Sequence, residues 1–293
     1  MEKFFKTHKK KLFVKKLVVI FLSIFFIFLN IKDINKYQQD DITLVTALFK
    51  IKSKFPFYKY FTWIQNLFNK NSSIVCFIDK NIYKIIKDLR PKIYNNKTVW
   101  IQTDIQSFYS YKHFLQDFTN THEINPEKKT HTINLYLIWA EKCYFVKRAI
   151  YHNYFKSKCF YWIDSGFFRK SERNNSLKSW PSANKCNKDP RVIINSMRLL
   201  SNNEIQGLIN LDINFYNQFI KKINVGGGLF GGQPKYLIKF IKLYYKTIKL
   251  FIKNKFYIGN DQNIFTFIAY FHKDIVQLVH SGKWFYFGEY LSN

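Results

Sequence analysis

Cys159-Phe160-Tyr161-Trp162-Ile163-Asp164-Ser165-Gly166-Phe167-Phe168-Arg169 is an aromatic-rich apolar run that stops at one carboxylate, a small residue and a glycine. Apolar residues bounded by turn formers read as a buried strand. Asp164 then falls at the C-terminal edge of a sheet, where open α/β folds bind their ligands. Ser165 and Gly166 let the chain turn sharply and leave room for a substrate to approach. A carboxylate at such an edge suits a divalent cation holding a diphosphate, since hard cations prefer oxygen ligands and bridge phosphates. The plainer reading is that Asp164 caps the following turn.

Outward from this strand, apolar patterns alternate between two periods. Residues 42–49 are a β-rich run suited to a first central strand, and residues 73–79 form a second strand that ends in Asp79. Residues 97–102 read as a third strand and residues 154–164 as the strand that reaches Asp164. Between them, residues 54–69 carry helical spacing after Pro56, and Ile82, Ile85, Ile86 and Leu89 mark an amphipathic helix stopped by Pro91. Residues 135–151 are a further helix, and the polar, Pro-containing residues 174–189 read as a long surface loop. Strands alternating with helices predict an α/β domain with a mostly parallel sheet in three layers. No internal repeat is present.

The N-terminus has its own composition. Lys3, Lys6, Lys9, Lys10, Lys11, Lys15 and Lys16 precede residues 17–29, in which only Ser23 is polar. Extending this core to residues 12–31 gives a spanning length if Lys15 and Lys16 snorkel to the headgroups. The run ends in Phe-Leu-Asn-Ile-Lys-Asp, without the small residues a signal peptidase needs, which favours an uncleaved signal anchor over a cleaved signal peptide. The expected organisation is an anchor over residues 1–31, a stalk over residues 32–41 and a domain over residues 42–293. The positive-inside rule makes this a single-pass type II membrane protein with a cytoplasmic N-terminus.

The chain has 293 residues, 47% of them hydrophobic, enough for a substantial core. Its formal charge of +28 invites a nucleic-acid reading. Against it, only Arg90, Arg148, Arg169, Arg173, Arg191 and Arg198 are arginine, and groove readers favour that planar fork. Lys, Asn, Ile, Phe and Tyr are inflated together and share A/T-rich codons, so the charge is compositional. Four cysteines at this length make no disulfide framework. Cys76 and Cys159 read as small buried hydrophobes, and a Cys143–Cys186 bridge stays open. No Cys/His cluster has zinc-ligand spacing.

Three further constellations bear on chemistry. Gly226, Gly227, Gly228, Gly231 and Gly232 crowd half of the chain's 10 glycines into one short run. Glycines let a ligand lie against bare backbone N–H groups, or else form a tight structural turn. Asp261 and Gln262 precede an apolar helical pattern, where Asp261 either caps the helix or meets a sugar hydroxyl. His280 and Lys283, with Gly282 between, could complete a metal site and neutralise a phosphate, although a lone His among aromatics is usually structural.

Taken together, these motifs resemble the bacterial HtrL/YibB family. The resemblance rests on Trp162-Ile163-Asp164-Ser165-Gly166-Phe167-Phe168-Arg169, the Gly226–Gly232 run, Asp261-Gln262, residues 43–49 and Leu137-Ile138-Trp139-Ala140-Glu141-Lys142. It covers residues 42–291. That family in turn is similar to nucleotide-sugar glycosyltransferases of the GT-A type, and the motif order is similar to that of glycogenin-like transferases. The resemblance implies a GT-A-like, Rossmann-like domain moving a sugar from a nucleoside diphosphate donor to a glycan or protein hydroxyl acceptor. In it Asp164 would hold Mn²⁺ or Mg²⁺, with His280 as a further ligand, and Lys142 would sit near the donor phosphates. Thr46, Ala47 and Asp79 would line the nucleoside pocket, and Gly226, Gly227 and Gly228 would give the sugar close access to backbone. Asp261 and Gln262 would bind sugar hydroxyls, with Asp261 as base in an inverting reaction. Two departures stand out: Gly166 occupies the second Asp position of Asp-x-Asp, and the final His-Gly-Lys motif is compressed. The rivals are an inactive glycan-binding protein of the same fold and a basic polyanion-binding protein.

Overall fold

The structure is a computed structural model that describes residues 37–125, 127–169 and 180–292. Its elements follow the expected alternation. In chain order the main ones, short helices aside, are β1 (Ile42–Leu48), α1 (Phe57–Phe68), β2 (Ser73–Asp79), β3 (Thr98–Thr103), α2 (Tyr109–His122) and α3 (Ile133–His152). After these come β4 (Cys159–Ile163), β5 (Val192–Ser196), β6 (Val225–Gly232), α4 (Pro234–Lys253), α5 (Asp261–Phe271) and β7 (Val276–His280). Strand β1 is buried at every position because it has partners on both edges and helices over both faces. Such strands read as continuous apolar runs, which is why β1 and β2 are legible from sequence.

The seven strands form one mixed sheet in the order β3-β2-β1-β4-β6-β5-β7. Neighbours are parallel in β1–β2, β2–β3, β1–β4 and β5–β7. Strand β6 alone runs antiparallel, to both β4 and β5. The chain winds outward from β1 through β2 to β3, then returns to place β4 on the other side of β1. The C-terminal ends of β1 and β4 therefore flank a topological switch point, where a crevice opens.

Strand residues alternate between two cores. Leu44, Cys76, Ile78, Tyr161 and Ile163 pack with Ile64, Leu67 and Phe68 of α1. On the opposite face, Phe77 and Trp162 stack on Phe145 of α3 at centroid distances of 4.2 and 6.2 Å. Helix α3 is capped at its start by Thr132, whose side chain accepts from Leu135 N, and at its end by Asn153 in a left-handed conformation.

Four expectations are corrected. The glycine run is neither loop nor turn but strand β6, buried throughout. Glycine is required there by close approach: a Cβ on Gly231 would lie 2.3 Å from Phe160 O, and one on Gly232 would lie 2.4 Å from Arg191 O. The open Cys143–Cys186 pairing is also replaced, because the disulfide joins Cys159 to Cys186 while Cys143 and Cys76 are free and buried. Residues 180–189 are not a surface loop. Trp180 is 1% exposed and donates from Nε1 to Gly288 O, and Cys186 sits in a short helix, Asn184–Lys188. Finally, the end of the expected stalk belongs to the domain, since Asp40 accepts from Ser73 Oγ and pairs with Lys97.

The expected anchor, residues 1–31, lies outside the described residues. Among the described residues no helix is long and apolar enough to cross a membrane.

Candidate functional site

Three elements converge behind the switch point. Helix α3 carries Lys142, β4 delivers Asp164 just past its last residue, and α5 starts with Asp261. The Lys142 side chain is 3% exposed, and its ammonium lies 3.0 Å from Asp164 Oδ1 and 2.8 Å from Asp261 Oδ2. It also donates to Gly227 O at 3.1 Å. Three oxygens thus surround the ammonium, two carboxylate oxygens at ion-pair distance and one carbonyl that accepts its hydrogen bond. The ring of Trp162 adds a face 5.8 Å from Nζ.

The two carboxylates play different parts. Asp261 is 4% exposed, and a Cβ on Gly227 would come within 2.9 Å of its Oδ1. Only glycine leaves Asp261 that place. Asp164 is 36% exposed, so one side of it faces solvent. Its Oδ1 also accepts from Trp162 Nε1 at 2.7 Å, and its backbone N donates to Gly228 O. The carboxylate is therefore committed to Lys142 and Trp162 and does not serve as a simple turn cap.

Burial pulls the Lys142 ammonium down, but the two carboxylates outweigh it and hold Lys142 above its ordinary value. Burial likewise pushes Asp261 up, more than Lys142 pulls it down. Desolvation disfavours the charged form of each, and only mutual pairing keeps such a cluster in the interior.

In front of this cluster opens a cavity of about 250 Å³. Asp164, Lys142, Gly228 and Ala47 form its floor, at the C-terminal ends of β1 and β4. Trp139, Tyr60 and Trp284 supply aromatic wall, and Lys54, His131 and Arg169 supply basic groups. The Arg169 guanidinium lies 4.7 Å from the Trp63 ring and 5.1 Å from that of Phe55, and its Nε donates to Gly166 O. Burial lowers the His131 pKa, with Lys54 adding to the effect and Glu127 opposing it. His131 is thus neutral at pH 7, and Lys54 and Arg169 carry the positive charge.

A family profile described as "bacterial protein of unknown function (HtrL_YibB)" matches residues 40–290. The chain belongs to the HtrL_YibB family. A search of curated proteins finds no match. The HtrL_YibB description leaves the activity open, so the function must be read from the site.

In this HtrL_YibB chain the sequence-predicted residues divide into two sets. Asp164, Lys142, Asp261, Gly227, Gly228 and Ala47 come together. The others stand apart. Thr46 is fully buried and does not line the cavity. Asp79 accepts from Asn81 N in its own turn. Gln262 N donates to the N-cap, Asn260, which takes the capping role considered for Asp261. Gly226 packs against Asn195. His280, the last residue of β7, and Lys283 just beyond it are exposed, and neither lines the cavity. Sequence reasoning missed Trp162, Arg169, Lys54 and His131. For Arg169 a signal existed: arginine is scarce in this chain, and one follows Asp164 closely.

The donor set does not fit a resident divalent cation. Asp164 Oδ1 already serves Lys142 and Trp162, Asp261 is enclosed behind Lys142, and His280 lies outside the cavity. Among the described residues no group of three His, Cys, Asp or Glu side chains could hold a metal.

Proposed function

We propose that this chain is a GT-A-like glycosyltransferase that moves a sugar from a nucleoside diphosphate donor to a hydroxyl acceptor. The observation that carries the reading is the cavity at the β1–β4 switch point, floored by one half-exposed carboxylate and walled by aromatic and cationic side chains. Open α/β folds bind nucleotides at such points. Aromatic faces suit a base or a sugar ring, while Arg169 and Lys54 suit a diphosphate.

In the transfer, an acceptor oxygen bonds to the anomeric carbon as that carbon's bond to the donor phosphate oxygen breaks. The diphosphate leaves with the electron pair, and Arg169 and Lys54 offset its growing charge. Asp164 Oδ2 is the carboxylate oxygen not engaged by Lys142 or Trp162, and it takes the hydrogen bond and then the proton of the acceptor hydroxyl as the new bond forms. Asp261 is enclosed and acts through Lys142, as a positioning residue and not as the base. The type II anchor belongs to the same proposal, and the Cys159–Cys186 bridge supports an oxidising compartment for the domain.

The test is turnover of the full-length protein with a panel of nucleotide sugars, read as released nucleoside diphosphate, beside Asp164→Asn. Turnover should fall by about two orders of magnitude in the variant, equivalent to roughly 3 kcal/mol, while the melting temperature drops by no more than about 4 °C. Donor binding without turnover would favour the glycan- or nucleotide-sugar-binding alternative. Salt-sensitive nucleic-acid binding that survives Asp164→Asn would favour the polyanion reading.

A further inference from the structure

Gly166 stands where a second metal-binding carboxylate would be expected, and the structure gives a steric reason for it. A Cβ on Gly166 would lie 3.1 Å from Trp63 Cε3 and 3.7 Å from Tyr60 Cε1. A side chain at 166 would press on the ring that carries the Arg169 guanidinium. A carboxylate there would need Trp63 to give by a few tenths of an ångström, and Arg169 rests on that ring. The missing Asp is part of the site's construction.

The position behind Asp164 is filled by a cation of the protein's own. Lys142 Nζ is surrounded by Asp164 Oδ1, Asp261 Oδ2 and Gly227 O at 3.0, 2.8 and 3.1 Å. Two carboxylates and a carbonyl converging on one point are the oxygen donors that a hard cation takes. Here they take an ammonium instead. The cavity in front then carries Lys54 and Arg169 against one carboxylate whose charge Lys142 already offsets. An anionic ligand entering it meets net positive charge with no metal added.

We infer that Lys142 is the resident cation of this site, and that the cavity takes phosphate-bearing ligands without a divalent metal. This deepens the transferase reading and rests on it for the identity of the ligand. The assignment of Lys142 can fail or stand independently, because metal binding is measured without any nucleotide. Lys142 fixes the orientation of Asp164 and balances its charge, so it is a positioning residue. Arg169 and Lys54 are the groups that meet the phosphates. Asp164 stays oriented in the empty cavity because Lys142 and Trp162 hold it there before any ligand arrives.

The experiment titrates MnCl₂ alone into the full-length protein by calorimetry, then uridine and guanosine diphosphates in EDTA or in MnCl₂. Expected are no saturable Mn²⁺ binding below about 1 mM and diphosphate dissociation constants that agree within about twofold in the two buffers. Micromolar Mn²⁺ binding that Asp164→Asn abolishes would overturn the inference. So would diphosphate binding at least about tenfold tighter with Mn²⁺. If neither diphosphate binds in either buffer, the transferase reading fails while the Mn²⁺ titration still decides the metal question. Lys142→Ala supplies a second measurement, because it empties the three-oxygen cradle. Mn²⁺ should raise the melting temperature of that variant and leave the wild type unmoved. A folded variant indifferent to Mn²⁺ would refute Lys142 as the occupant of a cation site. If the variant does not fold, the wild-type titrations stand as the test.

Discussion

Lys142 Nζ and Asp261 Oδ2 lie 2.8 Å apart with side chains only 3% and 4% exposed, joining the middle of α3 to the first residue of α5. A buried pair of this kind is costly to assemble and costlier to break, because removing one partner strands the other charge. Asp261→Asn keeps the shape and removes the charge. It should destabilise the fold by about 3 kcal/mol, the low end for a broken buried pair, since Asp164 still faces Lys142. Asp164→Asn should cost about 1 kcal/mol, because solvent reaches that carboxylate and screens it. Urea unfolding of the two variants checks the order. Equal losses would mean that burial does not distinguish the two carboxylates.

Much of this arrangement was legible in sequence, and the illegible part has a physical cause. Strand β2 matches its expected span, residues 73–79, and β1 falls within residues 42–49, because strands covered on both faces leave uninterrupted apolar runs. Asp164 was legible because it ends such a run. Strand β6 was not, because periodicity is read from side chains and five of its eight residues are glycine. What makes it a strand is the bulk of others: the Tyr161 ring and the Asp261 carboxylate fill the space its side chains would need. The Lys142 cradle was hidden for another reason. Its oxygens come from β4, β6 and α5, and only the fold brings them together. The Cys159–Cys186 bridge was missed because Cys159 reads equally well as one more apolar residue of its strand.

Glu204 gives a pH prediction. It receives Arg198 through Nη1 and Nη2 at 2.8 and 2.7 Å, Lys222 at 3.1 Å and Ser201 N at 3.0 Å. Hydrogen bonding from Arg198, helped by Ser201 and Lys222, depresses its pKa to about 2 against the cost of burial. A depressed carboxylate stabilises the fold above its unfolded value, near 4.5, and that contribution disappears as pH falls toward 2. Wild-type stability relative to Glu204→Gln should therefore be constant above pH 5 and converge on the variant between about pH 4.5 and 2. Parallel curves across that window would show that Glu204 is not held by these partners.

The Cys159–Cys186 bridge closes a sequence separation of 27 and encloses Asp164 through Arg169 within its loop. Constraining the unfolded chain over such a loop is worth about 3 kcal/mol. Cys159→Ala combined with Cys186→Ala should lose roughly that amount in urea unfolding. Non-reducing peptide mapping should recover this pair alone. Cys76 and Cys143, whose thiols burial pushes well above the ordinary value, should resist alkylation until the protein is denatured. A bridged Cys143 would contradict the structure directly.

Alanine at three glycines of β6 separates what the sheet needs from what the site needs. At Gly226 a new Cβ meets nothing closer than 3.7 Å, so Gly226→Ala should stay within about 1 kcal/mol of wild type. At Gly231 it would lie 2.2 Å from Tyr161 Cδ1 and 2.3 Å from Phe160 O. The carbonyl belongs to the neighbouring strand and cannot swing aside, so Gly231→Ala should cost about 3 kcal/mol or more and abolish folded protein at moderate urea. Gly227→Ala is the informative case. Its Cβ meets the Asp261 carboxylate at 2.9 Å, a side chain and not backbone, so the sheet can form while Asp261 is pushed off Lys142. The expected result is a still cooperative unfolding curve, shifted by at most about the 3 kcal/mol expected for Asp261→Asn, together with weakened binding of the diphosphate probes in the adjoining cavity. If Gly227→Ala binds the probes as wild type does, the placement of Asp261 does not govern the cavity, and Asp164 alone defines the site.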